Sequence, residues 1–365
     1  MDKSPFMTPD QSRARRARAR ARRRRRRIAI ASVLALAIAI AALIVTMAPA
    51  RSHNGRAHAA TGAAARARRS GASAPTGRLS QDRLPLAAPA LALTGIAAPA
   101  EQPIQATFSE PPRAGILFNL DTGQVLWSRN AYTRLRIASL TKMMTALLVV
   151  KSAPPDTPVL VTREAVDTAG SKVGVLPLGR HVKLESMLYG LLLPSGNDAA
   201  VALAQHVAGS VNAFVRRMNI EAARLGLGCT RYSSPSGYYD QGNYSCAADL
   251  AVLAHVDLAQ PRIASITRTY TAALPFPIEG GRLYLYNNNP LLIYHYPGTT
   301  GLKTGQTEAA GRCLVATAER HGVRLGVVLL HSPAPGNQAA YLLDSAFTQV
   351  YHQPPVAAPV MPPSA

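Results

Sequence analysis

Alternation of apolar and polar positions sets in near Ala114. AGILFNL and QVLWSRN are short apolar runs on either side of Asp121-Thr122-Gly123, the pattern of a β-hairpin closed by a turn containing Gly. After Ser139 the period changes. In SLTKMMTALLVV the apolar residues recur at helical spacing, and LESMLYGLLL, NDAAVALAQHVAG, VNAFVRRMNIEAARLG and CAADLAVLAHVDLA continue in the same way. Strand character returns in GRCLVATAE and VRLGVVLLH, which flank a turn at Arg320-His321-Gly322. A last helix, QAAYLLDSAFTQVY, leads into a Pro-rich tail, 352–365. Strands at both ends with helices between predict one α/β domain, 112–351, whose sheet joins the two ends. No internal repeat is present.

Ahead of this domain the pattern is different. Residues 28–48, IAIASVLALAIAIAALIVTMA, are 21 positions without a charge, long enough to cross a bilayer. Residues 49–111 are rich in Ala, Arg, Pro and Gly and predict a flexible linker with no core of its own.

The formal charge of +21 first suggests a nucleic-acid partner. Its distribution argues against one. Residues 1–27 carry 12 basic side chains, whereas residues 106–365 carry 21 basic against 15 acidic. The run Arg22 to Arg27 abuts the apolar segment, which reads as a cytoplasmic anchor under the positive-inside rule. We therefore expect a basic cytoplasmic tail (1–27), an uncleaved signal anchor in the cell membrane (28–48) and an extracytoplasmic domain. Ala48-Pro49-Ala50 has the small-x-small form of a cleavage site, and cleavage there gives a secreted domain.

Three Cys, at 229, 246 and 313, fall beyond the apolar segment, in a compartment where disulfides persist. Cys229 and Cys246 flank a 16-residue loop and either pair or remain two buried thiols; Cys313 lies in a strand pattern. The scattered His and Cys show no metal-ligand spacing, so neither metal nor cofactor is expected.

The chain contains 34 Arg and only six Lys. One Lys, Lys142, stands three residues after Ser139 in an apolar helical run. Positions i and i+3 share a helix face, so the pair places an amine beside a hydroxyl. Arg cannot release its proton near neutral pH, whereas Lys can, and a Lys with a lowered pKa can activate a Ser nucleophile. Ser-x-x-Lys alone arises by chance. Two further elements accompany it: Ser195-Gly196-Asn197, 56 residues on, in a polar break between helical runs, and Lys303-Thr304-Gly305, 108 residues later, leading into the final strand pair. The three triplets in this order mark the penicillin-recognising serine enzymes.

From Ala114 to Tyr351 the chain resembles the low-molecular-weight penicillin-binding proteins that are serine D-alanyl-D-alanine carboxypeptidases. GSKVGVLPLGRHVKLESMLYGLLLPSGNDAAVALA and YPGTTGLKTGQTEAAGRCLVATA carry the likeness over long continuous stretches. The resemblance implies a mainly antiparallel sheet with helices on both faces and a helical subdomain, as in β-lactamases and D,D-peptidases. It also implies an activity: cleavage of the terminal D-Ala-D-Ala bond of peptidoglycan stem peptides, with β-lactam antibiotics as inhibitors. Ser139 would attack, Lys142 would act as base and Ser195 would relay the proton. Asn197 would hold the acyl side's amide, and Lys303 and Thr304 would hold the substrate carboxylate. Gly305 would leave room for the substrate, and the N–H groups of Ser139 and Gln306 would form the oxyanion hole.

Two departures stand out. HSPAPGNQAA, residues 331–340, lacks the Arg that family members often place before the final helix, which raises a D,D-endopeptidase as the alternative. SSPSGYYD replaces the usual Asn-Pro-His-Gly-Leu loop. A class A β-lactamase is disfavoured, because none of Glu221, Asp240, Asp249, Asp257 and Glu279 has an Asn four residues on. An idle wall-binding protein is disfavoured by the three intact triplets.

Overall fold

A computed structural model describes residues 90–96, 99–238, 241–357 and 361–362. The basic tail (1–27), the apolar segment (28–48) and residues 49–89 of the expected linker lie outside the described residues.

The hairpin predicted around Gly123 is formed by β1 (Ala114–Asn119) and β2 (Val125–Arg129). The terminal pair is β8 (Gly311–Arg320) and β9 (Val323–Ser332). Together with β7 (Thr299–Thr307) they make one five-stranded antiparallel sheet in the order β2-β1-β9-β8-β7. Ile116 stands opposite Val328 in the β1–β9 ladder, so the sheet does join the two ends of the domain. The central strands are apolar almost throughout because both of their faces are covered.

On one face lies α9 (Pro335–Gln349), whose Leu342, Leu343 and Phe347 pack with Leu117, Leu314 and Leu329. On the other face α1 (Lys142–Ser152) and α6 (Ala247–Leu258) pack against Ile116, Val315 and Val328. A helical layer extends beyond them. It holds β3 (Pro158–Leu160), α2 (Arg163–Asp167), β4 (His181–Lys183), α3 (Leu184–Leu192), α4 (Asn197–Ala208) and α5 (Val211–Arg224). Between α6 and β7 the chain forms α7 (Pro261–Thr267), a ribbon of β5 (Thr271–Pro275) with β6 (Arg282–Tyr286), and α8 (Pro290–Ile293). Cys229 and Cys246 are joined as a disulfide with Cα atoms 5.6 Å apart. Closing a loop of that size contributes about 3 kcal/mol in the chain-entropy model.

The linker expected over 49–111 ends earlier than its composition indicates. Thr94 and Ile104 exchange backbone hydrogen bonds with the outer edge of the hairpin: Val125 donates to the Thr94 carbonyl, and Ile104 donates to that of Leu126. Leu91 and Ile104 are buried in the two cores, and the side chain of Gln102 pairs with the backbone and hydroxyl of Ser128. An open strand edge leaves unpaired N–H and C=O groups, and this segment satisfies part of that edge. Gly123 makes the approach possible: its φ is +74°, and a Cβ there would stand 2.1 Å from the Ala92 carbonyl oxygen.

Burying two such side chains is worth about 1.5–3 kcal/mol each. A chain starting at residue 106 is therefore expected to unfold at lower urea concentration than one starting at residue 90, with a loss of at least about 3 kcal/mol. Equal midpoints would show that the segment adds nothing to the fold.

Candidate active site

Ser139 is not in the α-helix that its spacing predicts. Residues Ala138–Thr141 form a 3-10 turn, and α1 begins at Lys142. With three residues per turn, positions i and i+3 eclipse, so Ser139 and Lys142 stand directly over one another. The Lys142 Nζ lies 2.8 Å from Ser139 Oγ, 2.7 Å from Asn197 Oδ1 and 2.9 Å from the Ser236 carbonyl oxygen. Two of these partners, the amide and peptide oxygens, can only accept. A neutral amine has two N–H groups and one lone pair. In the neutral form, two N–H groups donating to Asn197 and Ser236 leave the lone pair toward the Ser139 hydroxyl; as an ammonium the same Nζ donates to all three.

Each partner is pinned in turn. Asn197 opens α4, and its Nδ2 donates to the Ala169 carbonyl at 2.7 Å. Asp198 beside it accepts from the N–H groups of Val173, Gly174 and Ala199, which fastens residues 169–174 to the helix start. The Ser236 loop is held to α1 by Thr145, whose hydroxyl donates to the Pro235 carbonyl at 2.7 Å. Gly237 (φ +72°) permits the close approach, since a Cβ would stand 1.9 Å from the Ala138 carbonyl oxygen. Lys142 is fully buried, and burial pushes its amine well below the ordinary lysine range. The Lys303 cation lowers it further, and Asp198 acts in the opposite sense.

The opposite wall is β7, the edge strand. Gly305 has a firmer role here than leaving space for a ligand. A Cβ there would meet the Ile137 carbonyl at 2.8 Å and the Ser139 and Leu140 nitrogens at 3.1 Å, so the missing side chain lets β7 run against the turn that carries Ser139. Lys303 is buried and donates to the Thr304 carbonyl at 2.9 Å; desolvation pushes its amine down to about 7. Ser139, Ser195, Thr304, Gly305 and Gln306 line one groove of about 460 Å³, together with Asn288, Tyr294 and Arg312. A cleft of about 630 Å³ against Trp127 and Tyr132 contains none of the motif residues.

The structure thus brings Ser139, Lys142 and Asn197 into direct contact and places Thr304, Gly305 and Gln306 across the groove, with Lys303 buried on the same strand. Ser195 sits between them in a left-handed conformation (φ 66°), buried, with its Oγ hydrogen-bonded to no described residue. Residues 102–334 match the D-alanyl-D-alanine carboxypeptidase family.

The chain belongs to the D-alanyl-D-alanine carboxypeptidase family.

Relatives of that name include DacF of Bacillus subtilis, 35% identical over 250 residues, with 66% of this chain and 64% of the relative covered. DacB2 of Mycobacterium tuberculosis is 36% identical over 245 residues, with 65% of this chain and 82% of the relative covered. The crystal structure of the Streptomyces K15 DD-transpeptidase superposes with a TM-score of 0.62 at 30% identity, covering 67% of this chain and 99% of that one. The chain thus spans less than two thirds of the length of the Bacillus member and most of the Mycobacterium member. The superposition shows that this chain, with its antiparallel sheet covered by helices on both faces, shares the fold of that structure.

Within this family architecture, three contributors escaped the sequence reading. The Ser236 contact is a backbone carbonyl and has no residue signature. Asp198 follows the second triplet and was visible only as an acid at a helix start, a common stabilising feature. Arg312 sits in a strand pattern where Arg is unremarkable. Gly305→Ala supplies the decisive test of the packing. Crowding a close-packed contact costs about 1–3 kcal/mol, so the variant is expected to stay folded while Ser139 reacts with a penicillin at least tenfold more slowly. Unchanged reactivity would show that the turn and strand do not need this contact.

Proposed function

We propose that the protein is a serine D,D-carboxypeptidase that removes the terminal D-Ala from peptidoglycan stem peptides and is blocked by β-lactam antibiotics. The observation that carries this reading is the Lys142 amine, desolvated and committed to two acceptor-only oxygens, with its remaining position on Ser139 Oγ at 2.8 Å.

In the mechanism, neutral Lys142 takes the Ser139 proton as Oγ attacks the carbonyl between the two D-alanines. The oxyanion forms between the backbone N–H groups of Ser139 and Gln306, which Gly305 allows to sit on facing walls. One such donor is typically worth about 3–4 kcal/mol. Ser195, with its hydroxyl unengaged, passes the proton to the leaving amine. Asn197 steadies Lys142 and receives the acyl side's amide, Thr304 on the groove wall meets the carboxylate, and Lys303 acts from beneath by its charge on Lys142. Water then releases the acyl group from Ser139. A D,D-endopeptidase remains the second reading, and one relative, from Pseudomonas aeruginosa, bears that name at 34% identity over 237 residues.

The acylation step is tested with a penicillin and intact-mass detection. One stable adduct is expected, absent in Ser139→Ala. Its rate should rise with pH through the lowered pKa of Lys142 and level off well below 10.5, because only the neutral amine accepts a proton. In Lys303→Met the loss of a neighbouring positive charge raises that pKa, so the rising limb should shift to higher pH. No adduct on folded protein would sink the reading.

The same proposal places the domain outside the cell membrane on residues 28–48, supported by 21 uncharged positions after Arg22 to Arg27. No helix among the described residues is long and apolar enough to cross a membrane. Deleting residues 1–48 is expected to move the protein from the membrane pellet to the soluble fraction, and recovery in the pellet would refute the anchor.

A further inference from the structure

Arg312 lines the groove that holds Ser139, yet it belongs to none of the three triplets. In the sheet register it stands opposite Gln306 of β7 and Ser332 of β9. Paired residues in an antiparallel ladder share a face, so Arg312 projects on the side of Gln306 and, one pair further along that face, of Thr304 with Leu314. Its Nη1 donates to the Pro333 carbonyl, which draws the guanidinium along the end of β9. Among the described residues no carboxylate forms an ion pair with it. A guanidinium offers five N–H donors in a planar fork, and that carbonyl takes one.

The surroundings leave this cation a role. Residues 331–340, which cross the same end of the sheet, hold no Arg or Lys. Lys303 belongs to the other face of β7, where its partner Val315 is part of the core under α1, and its Nζ is engaged with the Thr304 carbonyl. Burial also pushes the Lys303 amine down to about 7, toward its neutral form. An Arg stays charged throughout.

We propose that Arg312 recognises the free C-terminal carboxylate of the substrate and thereby sets the preference for a terminal over an internal D-Ala bond. This rests on the D,D-peptidase reading above. The carboxylate lies one residue beyond the bond that Ser139 attacks, beside the Thr304 hydroxyl, where a half-buried Arg forms two parallel charge-assisted hydrogen bonds with it. A substrate whose terminal carboxyl is consumed in an amide offers no anion, and the guanidinium is left without a partner.

The test uses the full-length Ser139→Ala chain, which binds without turnover, and an N-acylated peptide ending in D-Ala-D-Ala, as the free acid and as the C-terminal amide. Calorimetry is expected to show the acid bound at least tenfold more tightly than the amide. Arg312→Gln should erase that difference and leave amide binding in place, and Arg312→Lys should restore part of it. The proposal is overturned if the parent does not discriminate acid from amide. It is equally overturned if Arg312→Gln weakens both ligands by the same factor, which marks a strap for Pro333, or weakens neither. Failure of the wild-type chain to hydrolyse the acid would remove the carboxypeptidase reading, while the acid–amide difference would still decide the role of Arg312.

Discussion

A buried lysine amine held between two oxygens that can only accept is the constraint on which this structure turns. A charged ammonium donates to three acceptors and has no lone pair to offer. Lys142 has three partners, and only one of them, Ser139 Oγ, is able to give up a proton. In the neutral form that burial favours, the two carbonyl oxygens fix where both N–H groups go, and the basic lone pair has one direction left. Orientation and activation therefore come from the same contacts. Desolvating an amine is costly, and the cost is offset because each neighbour is itself tied down: Asn197 to Ala169, and the Ser236 loop to Thr145.

That arrangement requires three remote parts of the chain to meet at close range, and glycine makes two of the meetings possible. Gly237 lets the loop approach the Ala138 carbonyl, and Gly305 lets the edge strand approach the nitrogens of Ser139 and Leu140. The 3-10 turn at Ala138–Thr141 completes the geometry by stacking Ser139 over Lys142. The large cores on the two sheet faces serve this site indirectly, by holding α1 and β7 rigid relative to each other.

The parts legible in the sequence were those written in side chains. Ser139, Lys142, Asn197 and the third triplet each needed a particular residue type, and the strand-helix-strand order followed from apolar spacing. What was not legible was written in the backbone. Ser236 contributes a carbonyl that any residue supplies, and a 3-10 turn differs from an α-turn by one hydrogen-bond register. The docked segment before β1 was hidden for another reason: Leu91 and Ile104 are isolated apolar residues in an Ala- and Pro-rich stretch, and burial on a strand edge needs no period of its own.

The distribution of cations carries the argument one step further. In a chain so biased toward Arg, the only lysines buried among the described residues are Lys142 and Lys303. The resemblance gave Lys303 the task of holding the substrate carboxylate, a task Arg performs at least as well. Its environment says otherwise. Desolvation pushes Lys303 down to about 7, and its charge acts on Lys142 as one of the forces lowering that amine. An Arg at this position would hold a full charge inside the core at every pH and would carry a planar fork where a compact ammonium fits. Both buried amines are pushed toward their neutral forms, and the permanently charged guanidinium of Arg312 is found instead on the groove wall, partly open to water.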